Sequence, residues 1–155
     1  MSENATFKTA YSKAMAHCSR REYCCSEIQY KLQSWGVGDN ENDKIIRLLI
    51  RDNFINEKRF ARAFVKDKFI YNRWGKIKIS SQLRAKKIPG DIILTALDVI
   101  DNDLYENTLK KLITDHRRFV KAKNKYDLKA KLLRYGLSKG FESSLLYEIL
   151  NDIED

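Results

Sequence analysis

Three apolar residues spaced by four and then five positions recur along this chain. They are Ile28, Leu32 and Val37, then Ile79, Leu83 and Ile88, then Leu128, Leu132 and Leu137, with starts 51 and 49 residues apart. Apolar residues four apart share one face of a helix, and a pattern recurring near every fifty residues is the mark of a tandem array. Five of the six glycines, Gly36, Gly38, Gly90, Gly136 and Gly140, fall in three short windows near the ends of these sets. A second apolar stretch follows each set: IIRLLI at 45–50, IILTALDVI at 92–100 and SSLLYEIL at 143–150. Phe60, Ala61, Phe64 and Val65 precede the second set on one helical face, as Leu109, Leu112 and Ile113 precede the third. The corresponding first stretch is weaker, with Tyr11, Ala14 and Met15.

The expected fold is therefore all-α, three tandem three-helix repeats spanning 1–55, 56–102 and 103–155. Units this small with narrow apolar faces bury too little alone, so neighbours should pack end to end in an elongated, curved array. Ser26 is expected to cap the second helix of repeat 1 and Gly36 to stop it, and Gly136 to stop its counterpart in repeat 3. Lys87 stands at the matching place in repeat 2, which leaves the stop there to Pro89 and Gly90. The alternating KIKIS at 76–80 also fits a strand, and is where an all-helical reading is weakest. DNEND at 39–43 lacks the spacing and glycine of a calcium loop and reads as a linker with a helix cap.

Charge is unevenly distributed. Formal net charge is +9, and residues 59–88 hold ten Lys or Arg against one acid, Asp67, so the rest of the chain is neutral overall. Residues 141–155 carry five acids and no base. A basic middle and an acidic end point to a polyanionic partner or a charged protein surface. Phe60, Phe64 and Val65 repeat at helical spacing and belong to the core; Tyr71 and Trp74 flank a turn and are the candidates for surface contact. An equal alternative for Trp74 is that it closes the top of the core. Arg73, Lys76 and Lys78 surround Gly75 at a helix start, where cations oppose the dipole unless an anion arrives. A secondary basic patch, Arg117, Arg118, Lys121, Lys123 and Lys125, lies at the matching junction of repeat 3, with a solvated helix face as its equal alternative.

Enzyme signatures are missing: there is no Gly-rich phosphate loop, no G-x-S-x-G and no paired histidines on a helix. Cys18, Cys24 and Cys25 are odd in number and lack metal-ligand spacing, so they read as reduced thiols in a cytoplasmic protein, with neither metal nor cofactor. No stretch approaches the roughly 20 apolar residues of a membrane span, and the start, MSENATFK, does not read as a secretory leader.

FINEKRFARAFVKDKF followed by WGKIKISSQLRAKKI resembles the RecX regulatory protein family. The matching features are the Asn56-Glu57 turn, the triplet Arg59-Phe60-Ala61, Gly75, and the helix carrying Ile79 and Leu83. SRREYCCSEIQYKLQSWG resembles the family's first-repeat motif through Arg21, Glu27, Ile28, Lys31, Leu32 and Gly36. The likeness covers about residues 10–150. Two departures concern turns: Lys87 replaces a usual glycine, and Asn56-Glu57 a more common pair of aspartates. The resemblance implies a non-enzymatic, monomeric regulator of homologous recombination and the SOS response. Such a protein lodges in the groove of the RecA filament on single-stranded DNA, with double-stranded DNA left open, and damps filament growth, ATPase and strand exchange. The residues expected to meet DNA or RecA are Arg59, Arg62, Lys66, Arg73, Trp74, Lys76, Lys78, Arg84, Lys86 and Lys87. Two alternatives stand beside it: a helix-turn-helix DNA-binding module unrelated to recombinase control, and a scaffold that binds only proteins. The apolar or acidic third stretches weigh against a helix made for the major groove.

Overall fold

The computed structural model describes residues 3–153, with side chains from residue 6 onward; Glu154 and Asp155 of the acidic end lie outside the described residues. The described residues form nine helices and no strand. Repeat 1 holds α1 (Glu3–Arg20), α2 (Cys25–Ser34) and α3 (Asp39–Arg51). Repeat 2 holds α4 (Glu57–Ile70), α5 (Lys76–Ala85) and α6 (Gly90–Leu97), and repeat 3 holds α7 (Asn102–Arg117), α8 (Lys125–Ser138) and α9 (Ser143–Asn151). The KIKIS segment falls in α5, because Ile79 and Leu83, one turn apart, are both fully buried on a helical face. Accessible surface totals 9911 Å². A compact monomer of this mass would expose about 8,100 Å², so the array is elongated. Among the described residues no helix is long and apolar enough to cross a membrane.

The second helices α2, α5 and α8 stand head to tail, and the joints between repeats are made at their ends. Gly75 N–H donates to the carbonyl of Lys139 at 2.7 Å and Ile77 N–H to that of Gly140 at 3.0 Å, so the end of α8 abuts the start of α5. The plan is repeated one unit earlier. The Ser26 hydroxyl donates to the Lys86 carbonyl at 2.7 Å, and Cys25 N–H to Glu57 Oε1 at 2.9 Å. α5 has no side-chain cap bond at its start, since the next repeat supplies the acceptors; α2 adds a local bond from the Cys24 N–H to Glu27 Oε1 at 3.1 Å, and α8 is capped by its own Asn124.

Four expectations are corrected here. Ser26 lies inside α2, whose N-cap is Cys24, and its hydroxyl serves the joint instead. DNEND opens α3 rather than linking to it: acids in a first turn suit the helix dipole, and Asn42 is buried with its amide donating to the Gln29 carbonyl. The stop of α5 is Lys87 itself, at φ +64°; its N–H donates to Arg84 and that of Ile88 to Leu83, while Pro89 caps α6. Gly136 lies within α8, and Gly140 at φ +92° makes the stop, with Gly140 N–H donating to Leu137 and Phe141 N–H to Gly136. The third apolar set is therefore Leu132, Gly136 and Phe141, one turn later than Leu128, Leu132 and Leu137. Phe141 is fully buried, whereas Leu137 is 44% exposed.

Two cores result. One belongs to repeat 1, built on Ile28, Leu32, Ile45 and Leu49. The other runs without a break through repeats 2 and 3, joined by the neighbouring rings of Phe69, Tyr105 and Phe141.

Candidate nucleic-acid interface

The turn from α4 into α5 brings together three of the nine basic residues expected to meet DNA or RecA, with Trp74 among them. Arg73, Trp74, Lys76 and Lys78 are all half-buried there. The ammonium of Lys78 sits 4.7 Å from the Trp74 ring centre and that of Lys68 5.2 Å, while Lys76 lies 4.8 Å from the Tyr105 ring. Trp74 is half-buried and packs against the core of repeats 2 and 3. Tyr71 is 80% exposed beside it. Arg73 reaches Asp115 at 3.4 Å, a half-exposed pair of little energetic weight.

Lys139, from the end of α8, completes this cluster and was not singled out by the sequence. Its ammonium donates to the Asn72 carbonyl at 3.0 Å. Burial, then the charges of Lys78 and Arg73, hold its pKa below the usual lysine value. Like charges converge here, then, in a partly desolvated place.

The dipole argument for this turn does not survive. The first amides of α5 already donate, to Lys139, Gly140 and the Tyr105 hydroxyl, so no free helix start awaits a phosphate. The C-terminal end of α8 lies against the same cations and its partial negative charge favours them. What remains available to a ligand is the side chains themselves.

Other predicted residues separate into two groups. Arg62, Lys66, Arg84 and Lys87 are exposed. Arg59 and Lys86 are taken up between repeats 1 and 2: Arg59 pairs with Glu22 and donates to the Asn53 and Phe54 carbonyls, and Lys86 pairs with Glu27 at 3.0 Å. Of the secondary patch, Arg118, Lys121, Lys123 and Lys125 are exposed and Arg117 half-buried, with the rings of Phe119 and Tyr126 more than four-fifths exposed among them. Lys123 N–H and Lys131 both reach Asp127, whose carboxyl they hold below the usual range.

A further group on repeat 1 was missed. Arg21 stacks 4.0 Å from the Tyr23 ring centre and Lys31 lies 5.4 Å from it, while Lys13 sits 4.4 Å from the Trp35 ring. Lys31 and Trp35, four apart, hinted at this face; the approach of Arg21, Tyr23 and Lys13 from other segments did not show in the sequence. Burial above all pushes the thiols of Cys18, Cys24 and Cys25 up.

Fold and site together define a class: an all-α array of three-helix repeats with a cation- and ring-rich face. A family model described as RecX, second three-helix domain, matches residues 56–97. A regulatory protein RecX from Mannheimia succiniciproducens is 32% identical over 136 residues, covering 85% of this chain and 86% of that one. The chain belongs to the RecX family, whose matched relatives are named regulatory proteins. The RecX of Clostridium perfringens strain 13 is 31% identical over 82% of this chain, which spans only 58% of that relative. The crystal structure of RecX from Lactobacillus salivarius superposes with a TM-score of 0.82 at 22% identity, over 96% of this chain and 97% of that one, and shares the fold.

Proposed function

We propose that this chain is a non-catalytic regulator that binds the RecA filament on single-stranded DNA and limits its extension, ATPase and strand exchange. It acts as a cytoplasmic monomer, with Arg62, Lys66, Arg73, Trp74, Lys76, Lys78, Arg84 and Lys87 meeting DNA or recombinase. Family membership supports the reading at the level of a regulator. The observation that carries the DNA contact is the half-buried Trp74 ring with the ammoniums of Lys68 and Lys78 at 5.2 and 4.7 Å from its centre, and with Lys139 and Arg73 near Lys78. Rings that accept a base, with cations beside them for phosphate, suit a single strand. The helix-turn-helix alternative gains nothing in repeats 2 and 3, because α6 and α9 carry no Lys or Arg for a groove; in repeat 1, α3 does carry Lys44, Arg47 and Arg51, behind a first turn with Asp39 and Glu41.

The test is the joint change Arg73→Glu, Lys76→Glu, Lys78→Glu, with Arg117→Glu, Arg118→Glu, Lys121→Glu as control. The first should abolish single-strand binding, keep helicity, and weaken inhibition of the cognate RecA ATPase by substoichiometric protein. Each lost phosphate contact should flatten the salt dependence by roughly 0.7 in log K per log salt. If only the control loses binding, the site lies in repeat 3. Wild-type protein without effect on RecA at any ratio would overturn the regulatory reading.

A further inference from the structure

A groove of about 600 Å³ opens on repeat 1, between α2 and the end of α5, within the roughly 300–1,000 Å³ range of ligand clefts. Tyr23, Tyr30 and Trp35 supply rings to its walls, and Arg21, Lys31 and Lys86 supply cations. Glu27 is the acid in its lining, and it is already committed to both Lys86 at 3.0 Å and Arg21 at 3.4 Å. Lys31 and Lys13 meet ring faces rather than carboxylates. His17, stacked 5.5 Å from Trp35, reports the local potential: burial first, then Lys31, Arg20 and Lys13, hold its pKa below the ordinary histidine value.

This groove does not stop at the joint. Arg21, Glu27 and Lys86 also line an adjoining hollow whose other walls include Phe64 and Lys68. The Lys68 ammonium in turn lies 5.5 Å from the Phe64 ring and 5.2 Å from that of Trp74. Rings thus follow one another from Trp35 through Tyr23 and Phe64 to Trp74, with a cation at each step. Six of the seven cation–ring contacts found among the described residues fall on these four rings.

We propose that the repeat 1 groove is a second base-stacking site, continuous with the Trp74 surface, and that a single strand of nucleic acid lies along both. The inference rests on the DNA contact proposed above and extends it to a part of the chain outside the basic segment. A single strand is the occupant because its base faces are free to meet the rings, whereas in a duplex they are covered by neighbouring bases. Cations interleaved with rings match the alternation of phosphate and base.

The protein has two tryptophans, one in each surface, so each can be read alone. In Trp74→Phe the emission comes from Trp35, and in Trp35→Phe from Trp74, with an aromatic ring kept at both places. Titration with a twenty-residue oligothymidylate should quench both emissions over the same concentration range. In the Trp74→Phe background, Tyr23→Ala should weaken binding by about five- to 150-fold, the range set by loss of one stacking ring, while Tyr23→Phe restores it. Quenching of Trp74 with Trp35 silent overturns the repeat 1 site and leaves the proposed function standing. Silence of both, with no binding by anisotropy, overturns the two together. Equal quenching of Trp35 by heparin, which has charge and no bases, reduces the groove to a charged surface and also overturns the proposal.

Discussion

Arg73 and Lys87 are two of three non-glycine residues with positive φ among the described residues, at +54° and +64°; Asn53 is the third. Asparagine tolerates this region, but for a long side chain it costs of order 1 kcal/mol relative to glycine. Lys87 closes α5 at a place where glycine would serve the backbone better. Both strained positions carry a cation of the proposed interface, which is the pattern expected where a side chain is kept for binding at the expense of stability. Lys87→Gly and Arg73→Gly should therefore each raise the denaturant midpoint, by about 0.5–1 kcal/mol in stability, and weaken single-strand affinity. A variant that gains stability with affinity unchanged would show that its cation has no part in binding.

At the scale of elements, the second helices end one another. A Cβ added at Gly75 would stand 2.3 Å from the Gly140 carbonyl oxygen and 2.5 Å from the Phe141 nitrogen, both backbone atoms with no room to yield. Added at Gly140, it would meet Lys78, and φ +92° already demands glycine. Gly75→Ala should part repeat 3 from repeat 2 and break the hydrogen bonds of Gly75, Lys76 and Ile77 amides. At about 1 kcal/mol per bond that is a loss of about 3 kcal/mol or more. Gly90→Ala is the comparison, since a Cβ there meets open space in the first turn of α6 and should be neutral or mildly stabilising. Thermal denaturation followed by circular dichroism separates the two outcomes. Comparable midpoints for both variants would mean the Gly75–Gly140 contact is not what holds the joint.

Across the whole molecule the two joints follow one plan with different materials. Repeats 2 and 3 share a core, so they should unfold together. Repeats 1 and 2 meet mainly through polar groups: Glu57 with Cys25, Ser26 with Lys86, Lys86 with Glu27 and Arg59 with Glu22. The buried Cys24 is the apolar contribution on repeat 1's side, and Glu57 Oε2 is buried without a hydrogen-bond partner. Partly exposed ion pairs are worth about 0–1 kcal/mol each and are screened at high salt, where the Debye length falls to about 3 Å at 1 M. Amides of α1–α3 should exchange with solvent sooner than those of α4–α9, and the gap should widen from 0.1 to 1 M salt. A single exchange rate for all nine helices, insensitive to salt, would show the polar joint to be as cooperative as the apolar one.

Helix identity and the three-fold repeat were legible because burying one face of a helix imposes a local spacing that any reader of the chain can find. The buried Ile28, Leu32, Ile79 and Leu83 lie where that spacing put them. The surplus of charge in residues 59–88 was legible too, being a matter of counting. Register in repeat 3 was not. Leu128, Leu132 and Gly136 lie one turn apart on the same face, so a shift by one turn leaves the apolar pattern intact. The choice is made by tertiary contacts: α9 brings Leu146 against Gly136, and Gly140 must be bare where it meets Lys78 and Gly75. Nor could the chain show that the amides opening α5 are satisfied by a helix end sixty residues away, or that Arg21, Tyr23, Lys13 and Trp35 converge on one groove. Sequence fixes which residues seek burial or water, because that depends on each side chain and its near neighbours. Which helix end meets which, and which cations are left for a partner, depends on groups brought together only by packing.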